Sequence, residues 1–344
     1  MSRHAIANRL PVSVVVPSMG RLATLTQEIP SLLQTAAMRH DHSELLIVHG
    51  HLRSWEARKN ISDGCKRSSR ECNISRIKHI DFSHKPHGPI GAAERFFAAR
   101  HARNHVIVHV DDDRLRQASA TRSSTDMYSN IDLLIDAVAQ ERGVPGLFSI
   151  HRSNTMRSCD SSSYRLTDKL GSFSYRNGSS VIVLSAFAAM SAALNHHFVD
   201  TFDIRYRALI EAFHGNGEDL VLADFTRRAG GLMTALLGLR PATSGRRLEY
   251  SSYSGKPAHY AERSVICGCL ARNVIGDGLK ACATSNMARP VIRECLSRAQ
   301  SQSSEDKLLA SRRCGAVVQW PWSWMMNVSS HTNQVTPLHK KPPK

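Results

Sequence analysis

No segment of the chain approaches the ~20 consecutive apolar residues that a membrane-spanning helix needs, and Met1 to Leu10 contains no apolar signal region. The chain as written is therefore expected to be soluble. Aromatic residues are scarce, at 6%, and no zinc finger, RNP-like or other nucleic-acid recognition motif emerges. Cysteine is thin as well: eight residues, with no Cys-x-x-Cys pair, are too few for a disulfide scaffold in a chain of this length. Cys267, Cys269, Cys282 and Cys295 follow no common zinc spacing and read as core thiols. Acidic side chains are the remaining shortage, 29 against 45 Lys and Arg, for a net charge of +16. That balance favours an anionic partner: nucleic acid, acidic polysaccharide, a membrane surface or a phosphorylated small molecule.

What is present suffices for a globular protein. The 344 residues, 42% apolar, can fill one large domain or two ordinary ones. The run "LPVSVVVPSMGR" suits a strand buried on both faces, as parallel sheets require. A helical stretch from Leu22 to Met38 follows, with Pro30 expected to kink or bound it. "ELLIVHG" is a second buried strand, the basic segment from His51 to Ser75 a loop or surface helix, "ISRIKHI" a short strand, and "GPIGAAERFFAARHAR" a helix leading into "VIVHV". Strands alternating with helices indicate an α/β domain with a mainly parallel sheet. Further on, "IDLLIDAVA" reads as a helix and "GVPGLFSIHR" as a turn and strand, while the segment through "SVIVLSAFAAMSAAL" reads as a strand pair running into a helix. Four Asn-x-Ser sequons, at Asn60, Asn73, Asn177 and Asn327, would accept glycans in a secretory compartment, though chance accounts for them equally in a serine-rich chain.

Against so basic a background, "VIVHVDDDRL" stands out. An apolar strand runs straight into Asp111, Asp112 and Asp113, three carboxylates whose mutual repulsion calls for a positive partner. Ligands of open parallel sheets lie beyond the carboxyl ends of the strands, and Mg2+ or Mn2+ there would bridge carboxylates to a diphosphate. The plainer alternative is a solvated acidic loop with Asp113 capping a helix. A second acidic element, "FHGNGEDLVLADFTRR", sets Glu218 and Asp219 at the start of an apolar helix, after the flexible Gly215 and Gly217. A carboxylate there serves as a cap or as a partner of the helix dipole.

Taken in order, "VVVPSMGR", "HVDDDRL", "SVIVLSAF" and "NGEDLVLADF" resemble the catalytic domain of exostosin-type glycosyltransferases, family 64, over roughly residues 10 to 290. The resemblance implies a GT-A-type α/β fold with a mixed, mainly parallel sheet, and a metal-dependent, retaining transfer from a UDP-sugar. It also implies Mn2+ or Mg2+ as cofactor. Asp113 would hold the metal, and Asp111 and Asp112 the ribose and donor sugar. Arg21 and Arg95 would face the nucleotide and donor, as permanently charged guanidiniums suit. Asp219 would lie near the anomeric carbon, Asn216 would orient sugar or acceptor, and Arg263 in "HYAERSVI" would stand close to the reacting centre. The donor would be a UDP-N-acetylhexosamine or UDP-glucuronate, and the acceptor a glycan or glycoconjugate, acidic ones included.

The chain also departs from the family. The usual cysteine of Asn-Cys-Glu-Asp is Gly217 and the downstream cysteine falls on Ile266, so a bridge common in the family lacks both ends, while Cys267 has no evident mate. The Trp-Asn pair expected after the second strand is replaced near "IVHGH", and an expected asparagine before "GAAERF" is changed. Family members are usually anchored in the Golgi by an N-terminal membrane helix; a first strand near Leu10 leaves no room for one here. The domain reading is a short tail over 1–9, a transferase domain over 10–290 divided near residue 115 into nucleotide-binding and acceptor halves, and a polar tail over 291–344. Two rivals stand beside it: a catalytically inactive carbohydrate-binding relative, and a basic nucleic-acid-binding protein.

Overall fold

The structure is a computed structural model and describes residues 10–18, 22–49, 54–67, 72–82, 91–121, 128–140, 144–151, 156–160, 163–167, 173–175, 181–182, 186–213, 215–239, 259–272 and 276–284. Strand β1 (Val12–Ser18) is buried at every residue. Its side chains alternate between faces as strand geometry requires: Val12, Val14 and Val16 join one core cluster and Val15 another. Burial on both sides explains why its sequence is an unbroken apolar run.

Helix α1 (Leu22–Leu32) stops well short of the expected Met38. Pro30 is accommodated inside it, offering no N–H to the carbonyl four residues back, and the helix ends two residues later. That carbonyl belongs to Thr26, and a Cβ added to Gly64 would sit 2.5 Å from its oxygen. Gly64 lies on α2 (Ser54–Arg67), so glycine lets the two helices approach. The basic segment thus contains a genuine helix, between strands β2 (Glu44–His49) and β3 (Ile77–Asp81). The first part of "ISRIKHI" is a turn of 3-10 helix, Ile74–Arg76, rather than strand. The long helix expected before the acidic strand is likewise broken, with α3 (Glu94–Ala98) flanked by 3-10 turns over Gly91–Ala93 and Ala99–His101.

Next come β4 (Val106–Val110), α4 (Leu115–Ala118) and α5 (Asn130–Ala139), the last opened by a reciprocal capping box between Ser129 and Asp132. The second half contains β5 (Gly146–His151), β6 (Met156–Asp160), β7 (Ser163–Thr167), β8 (Phe173–Tyr175), β9 (Val181–Ile182), β10 (Phe187–Ser191), α6 (Ala192–Arg205), α7 (Arg207–Ala212), α8 (Glu218–Arg228), β11 (Leu232–Leu237), α9 (His259–Ala271) and α10 (Asp277–Thr284).

Among the described residues eight strands form one sheet in the order β3-β2-β1-β4-β10-β5-β11-β8. The pairs β3/β2, β2/β1, β1/β4 and β5/β11 are parallel. β10 enters antiparallel between β4 and β5, and β8 closes the far side antiparallel to β11. The sheet is therefore mixed and mainly parallel, as expected, with helices on its faces. A small antiparallel sheet, β7-β6-β9, stands beside it. On one face, residues of α6, α7, α8 and α9 pack an aromatic core of Phe96, Phe198, Phe202, Tyr206 and Phe225. On the other, α1 and α5 cover Val12, Val14, Val16, Val106 and Val108.

The cysteines correct the reading as core thiols. Cys65 bridges Cys72, Cys159 bridges Cys267, and Cys269 bridges Cys282. Cys267 does have a mate, supplied by β6 across 108 residues of sequence, a separation that sequence spacing could not reveal. The two bridges from α9 fasten that helix to the small sheet and to α10. Cys295 and Cys314 lie outside the described residues, as does the polar tail.

Candidate active site at the carboxyl end of β4

β4 delivers the acidic triplet to the carboxyl edge of the parallel half-sheet. Asp111 leaves the strand in extended conformation, its N–H donating to the Ala186 carbonyl at 2.8 Å, and Asp112–Arg114 make a turn of 3-10 helix. The three carboxylates differ in exposure. Asp112 is fully buried, whereas the side chains of Asp111 and Asp113 keep 29% and 14% exposure. Arg114 Nε stands 3.6 Å from Asp113 Oδ1.

The positive partner demanded by the triplet is Arg95. It comes from α3, is almost wholly buried, donates through Nε to the Ala92 carbonyl at 2.9 Å, and sets Nη1 2.5 Å from Asp111 Oδ1. Its Nη2 lies 3.5 Å from Glu218 Oε1. One guanidinium thus ties the end of β4 to the start of α8, from opposite halves of the chain. Burial works against charging Arg95, but the facing carboxylates of Asp111 and Glu218 outweigh it and raise its pKa, so it stays charged.

A second guanidinium continues the chain of charges. Arg263 of α9 pairs through Nη2 with both carboxylate oxygens of Asp219, and both residues are buried. Its Nη1 donates to Asn216 Oδ1 at 3.3 Å, while Asn216 Nδ2 donates to Glu262 Oε2 at 2.7 Å. The geometry depends on glycine. Gly217 has φ of +92° and a Cβ there would meet Ile266 Cδ1 at 2.5 Å. Gly91, at φ +63°, packs so closely on Gly215 that a Cβ would lie 3.0 Å from its Cα. These contacts allow the turn before α8 to press against both α9 and the segment carrying Arg95.

Burial pushes the Glu218 carboxyl up to about 7, with the Asp219 charge adding to the rise and Arg95 and Arg263 opposing it. Asp111 is also raised, first by burial and then by Asp113, against the pull of Arg95. Glu218 can therefore exchange a proton near neutral pH within a cluster where carboxylates outnumber guanidiniums among the described residues. Sequence reasoning named Glu218 beside Asp219 at the helix start but gave it no role in the site, although two acids in succession were the signal, since a single cap explains only one of them. Glu262 was passed over, as was His49, buried at the end of β2, whose Nε2 lies 2.9 Å from His79 Nδ1 on β3. Burial lowers both imidazoles to about 4.

Of the residues singled out in the sequence, Arg95 and Asp111 form one cluster with Glu218, Asn216, Asp219 and Arg263 form a second that begins at the next residue of α8, and Asp112 and Asp113 lie on the turn after β4. Arg21 lies outside the described residues. Among the described residues no group of three or more His, Cys, Asp or Glu side chains is gathered to hold a metal ion by itself. The donor set still fits Mn2+ or Mg2+, because these ions take hard oxygen ligands and are commonly held by one or two carboxylates plus substrate phosphates. Asp113 offers such an oxygen ligand on the turn at the strand end.

Fold and site together define a mixed α/β protein with a mainly parallel sheet, as expected from the sequence, with an acidic turn closing β4 and a charged helix start facing it. Among solved structures the chain is similar to a mannosyltransferase from Pyrobaculum calidifontis in complex with GDP-Man and Mn2+, at 12% identity and a TM-score of 0.47, covering 91% of this chain and 88% of that one. It is also similar to GalNAc-T7 with UDP, GalNAc and Mn2+, at 12% identity and a TM-score of 0.49, covering 94% of this chain and 57% of that one. A third is S. aureus TarS 1-349, at 14% identity and a TM-score of 0.42, covering 90% and 83%. No protein-family profile and no curated protein matches the chain. No helix among the described residues is long and apolar enough to cross a membrane.

Proposed function

We propose that this chain is a metal-dependent, retaining glycosyltransferase of exostosin type, moving an N-acetylhexosamine or glucuronate from a UDP-sugar to a glycan or glycoconjugate acceptor. The observation that carries the reading is a pair of charge clusters built from distant stretches of sequence and adjoining at the start of α8. Arg95 pairs with Asp111 and reaches Glu218, while the next residue, Asp219, pairs with Arg263, which donates to Asn216. The contact between Gly217 and Ile266 adds support, since these are the positions where the resembled family carries a cysteine bridge. Here an isoleucine side chain fills the space.

In this reading Asp111 and Asp112 orient the ribose and donor sugar, and Asp113 holds the cation. Breaking the sugar-phosphate bond leaves positive charge on the ring and negative charge on the diphosphate. Asp219, fixed by Arg263, stabilises the ring, and Asn216 orients the sugar or acceptor beside it. Arg95, anchored between Asp111 and Glu218, keeps a permanent positive charge next to the donor. A bound Mn2+ or Mg2+ would supply charge neutralisation at the leaving diphosphate.

Calorimetric titration of UDP with and without Mn2+ tests the assignment. Wild type is expected to bind UDP more tightly with Mn2+ present, and Asp113→Ala to bind equally under both conditions. A wild type indifferent to the cation would overturn it.

A further inference from the structure

We infer that Asn73 is a site of N-linked glycosylation, and that its glycan shields the open edge of β3. This rests on observations apart from the transferase reading. Three cysteine pairs, Cys65 with Cys72, Cys159 with Cys267 and Cys269 with Cys282, are brought together with their Cα atoms 5.4, 5.3 and 5.8 Å apart. Disulfides form and persist in oxidising compartments, the surroundings in which Asn-x-Ser sequons are read.

The structure separates the sequons from one another. Asn73 is exposed, as are Ile74 and Ser75 after it, so the whole acceptor tripeptide lies at the surface. Both the backbone N–H and the hydroxyl of Ser75 donate to Asn73 Oδ1, at 3.1 and 2.6 Å, leaving Nδ2 as the atom to be modified. Asn60 instead sits half-buried within α2, against the groove between α1 and α2. Asn177 and Asn327 lie outside the described residues. In the modification, Asn73 Nδ2 forms a bond to the anomeric carbon of a lipid-pyrophosphate-linked oligosaccharide. The bond from that carbon to the pyrophosphate oxygen breaks, the lipid pyrophosphate leaves, and one Nδ2 proton passes to base.

The location suits a protective role. Asn73 precedes β3, the outermost strand on its side of the large sheet among the described residues, and β3 is only half-buried. Such an edge offers backbone groups to other chains unless it is covered. Because β3, β2, β1 and β4 all run parallel, the start of β3 lies at the end of the sheet opposite Asp111. A glycan at Asn73 therefore stands clear of the candidate active site.

The full chain would be secreted from cultured human cells behind an appended leader, then treated with peptide N-glycosidase F in 18O-water and mapped by mass spectrometry. The expected result is Asn73 recovered as 18O-labelled aspartate. Ser75→Ala should remove one glycan step on a gel and Ser75→Thr should keep it. Recovery of the Asn73 peptide unmodified from secreted wild type overturns the site, and needs no variant to fold. For the shielding role, native wild type stripped of glycan should scatter light sooner on incubation than the intact form. Equal aggregation of the two would overturn that half of the inference.

Discussion

The raised carboxyl of Glu218 makes a stability prediction that can be worked through. Its ordinary value of 4.5 rises to about 7 in the folded chain, mainly through burial and then through the charge of Asp219. Between those limits the folded protein keeps a proton that the unfolded chain has released. Folding is thus favoured most below pH 4.5, and stability falls as pH climbs through the window to about 7, after which this contribution is flat. At roughly 1.4 kcal/mol per pH unit, the interval from 4.5 to about 7 corresponds to about 3 kcal/mol. Glu218→Gln keeps an oxygen for Arg95 Nη2 and cannot ionise. Variant and wild type should match at pH 4, and the variant should be the more stable by about 3 kcal/mol at pH 8. Urea denaturation across that range is the assay, read as a difference between the two proteins. Taking the difference removes remote titrating groups such as the His49 and His79 pair, whose lowered values make stability fall with acid between 6.5 and about 4. A gap of the same size at pH 4 and pH 8 would refute the reasoning.

Other perturbations probe the same region. Asp219→Asn should leave Mn2+-dependent UDP affinity intact while slowing sugar transfer by about a hundredfold or more, the scale set by losing one preorganised charge at a transition state; transfer at the wild-type rate would remove Asp219 from the reaction. Gly217→Ala should cost about 1–3 kcal/mol, from its left-handed backbone and the contact with Ile266. Adding Ile266→Val, which deletes the crowding Cδ1, should recover only the packing share in chemical denaturation, leaving about 1–2 kcal/mol for the backbone.

How legible the molecule was in its sequence differs between fold and site. β1, β2 and β4 could be read because strands buried on both faces need continuous apolar runs, and α8 because its glycines and acids mark a helix start. α1 was read too long, since the pattern does not say how far a helix continues past a proline. The stretch around α3 was read as one helix although it breaks into short turns. Arg95 was picked out by motif, but its grip on both Asp111 and Glu218 was not, because Glu218 lies 123 positions from Arg95 in the chain. The cysteines show the limit most plainly: Cys267 looked partnerless until folding brought β6 beside α9.

The sequence by itself determined the local pieces: which segments bury both faces, where the chain turns, and which acids and arginines are available for chemistry. Those follow from side-chain periodicity and backbone freedom within a few residues. Only the tertiary structure decided which charges face one another, which cysteines pair, and that Glu218 titrates near neutrality. Coulomb interaction and desolvation depend on distance through space and on exclusion of water, and neither is written in the spacing of residues along the chain.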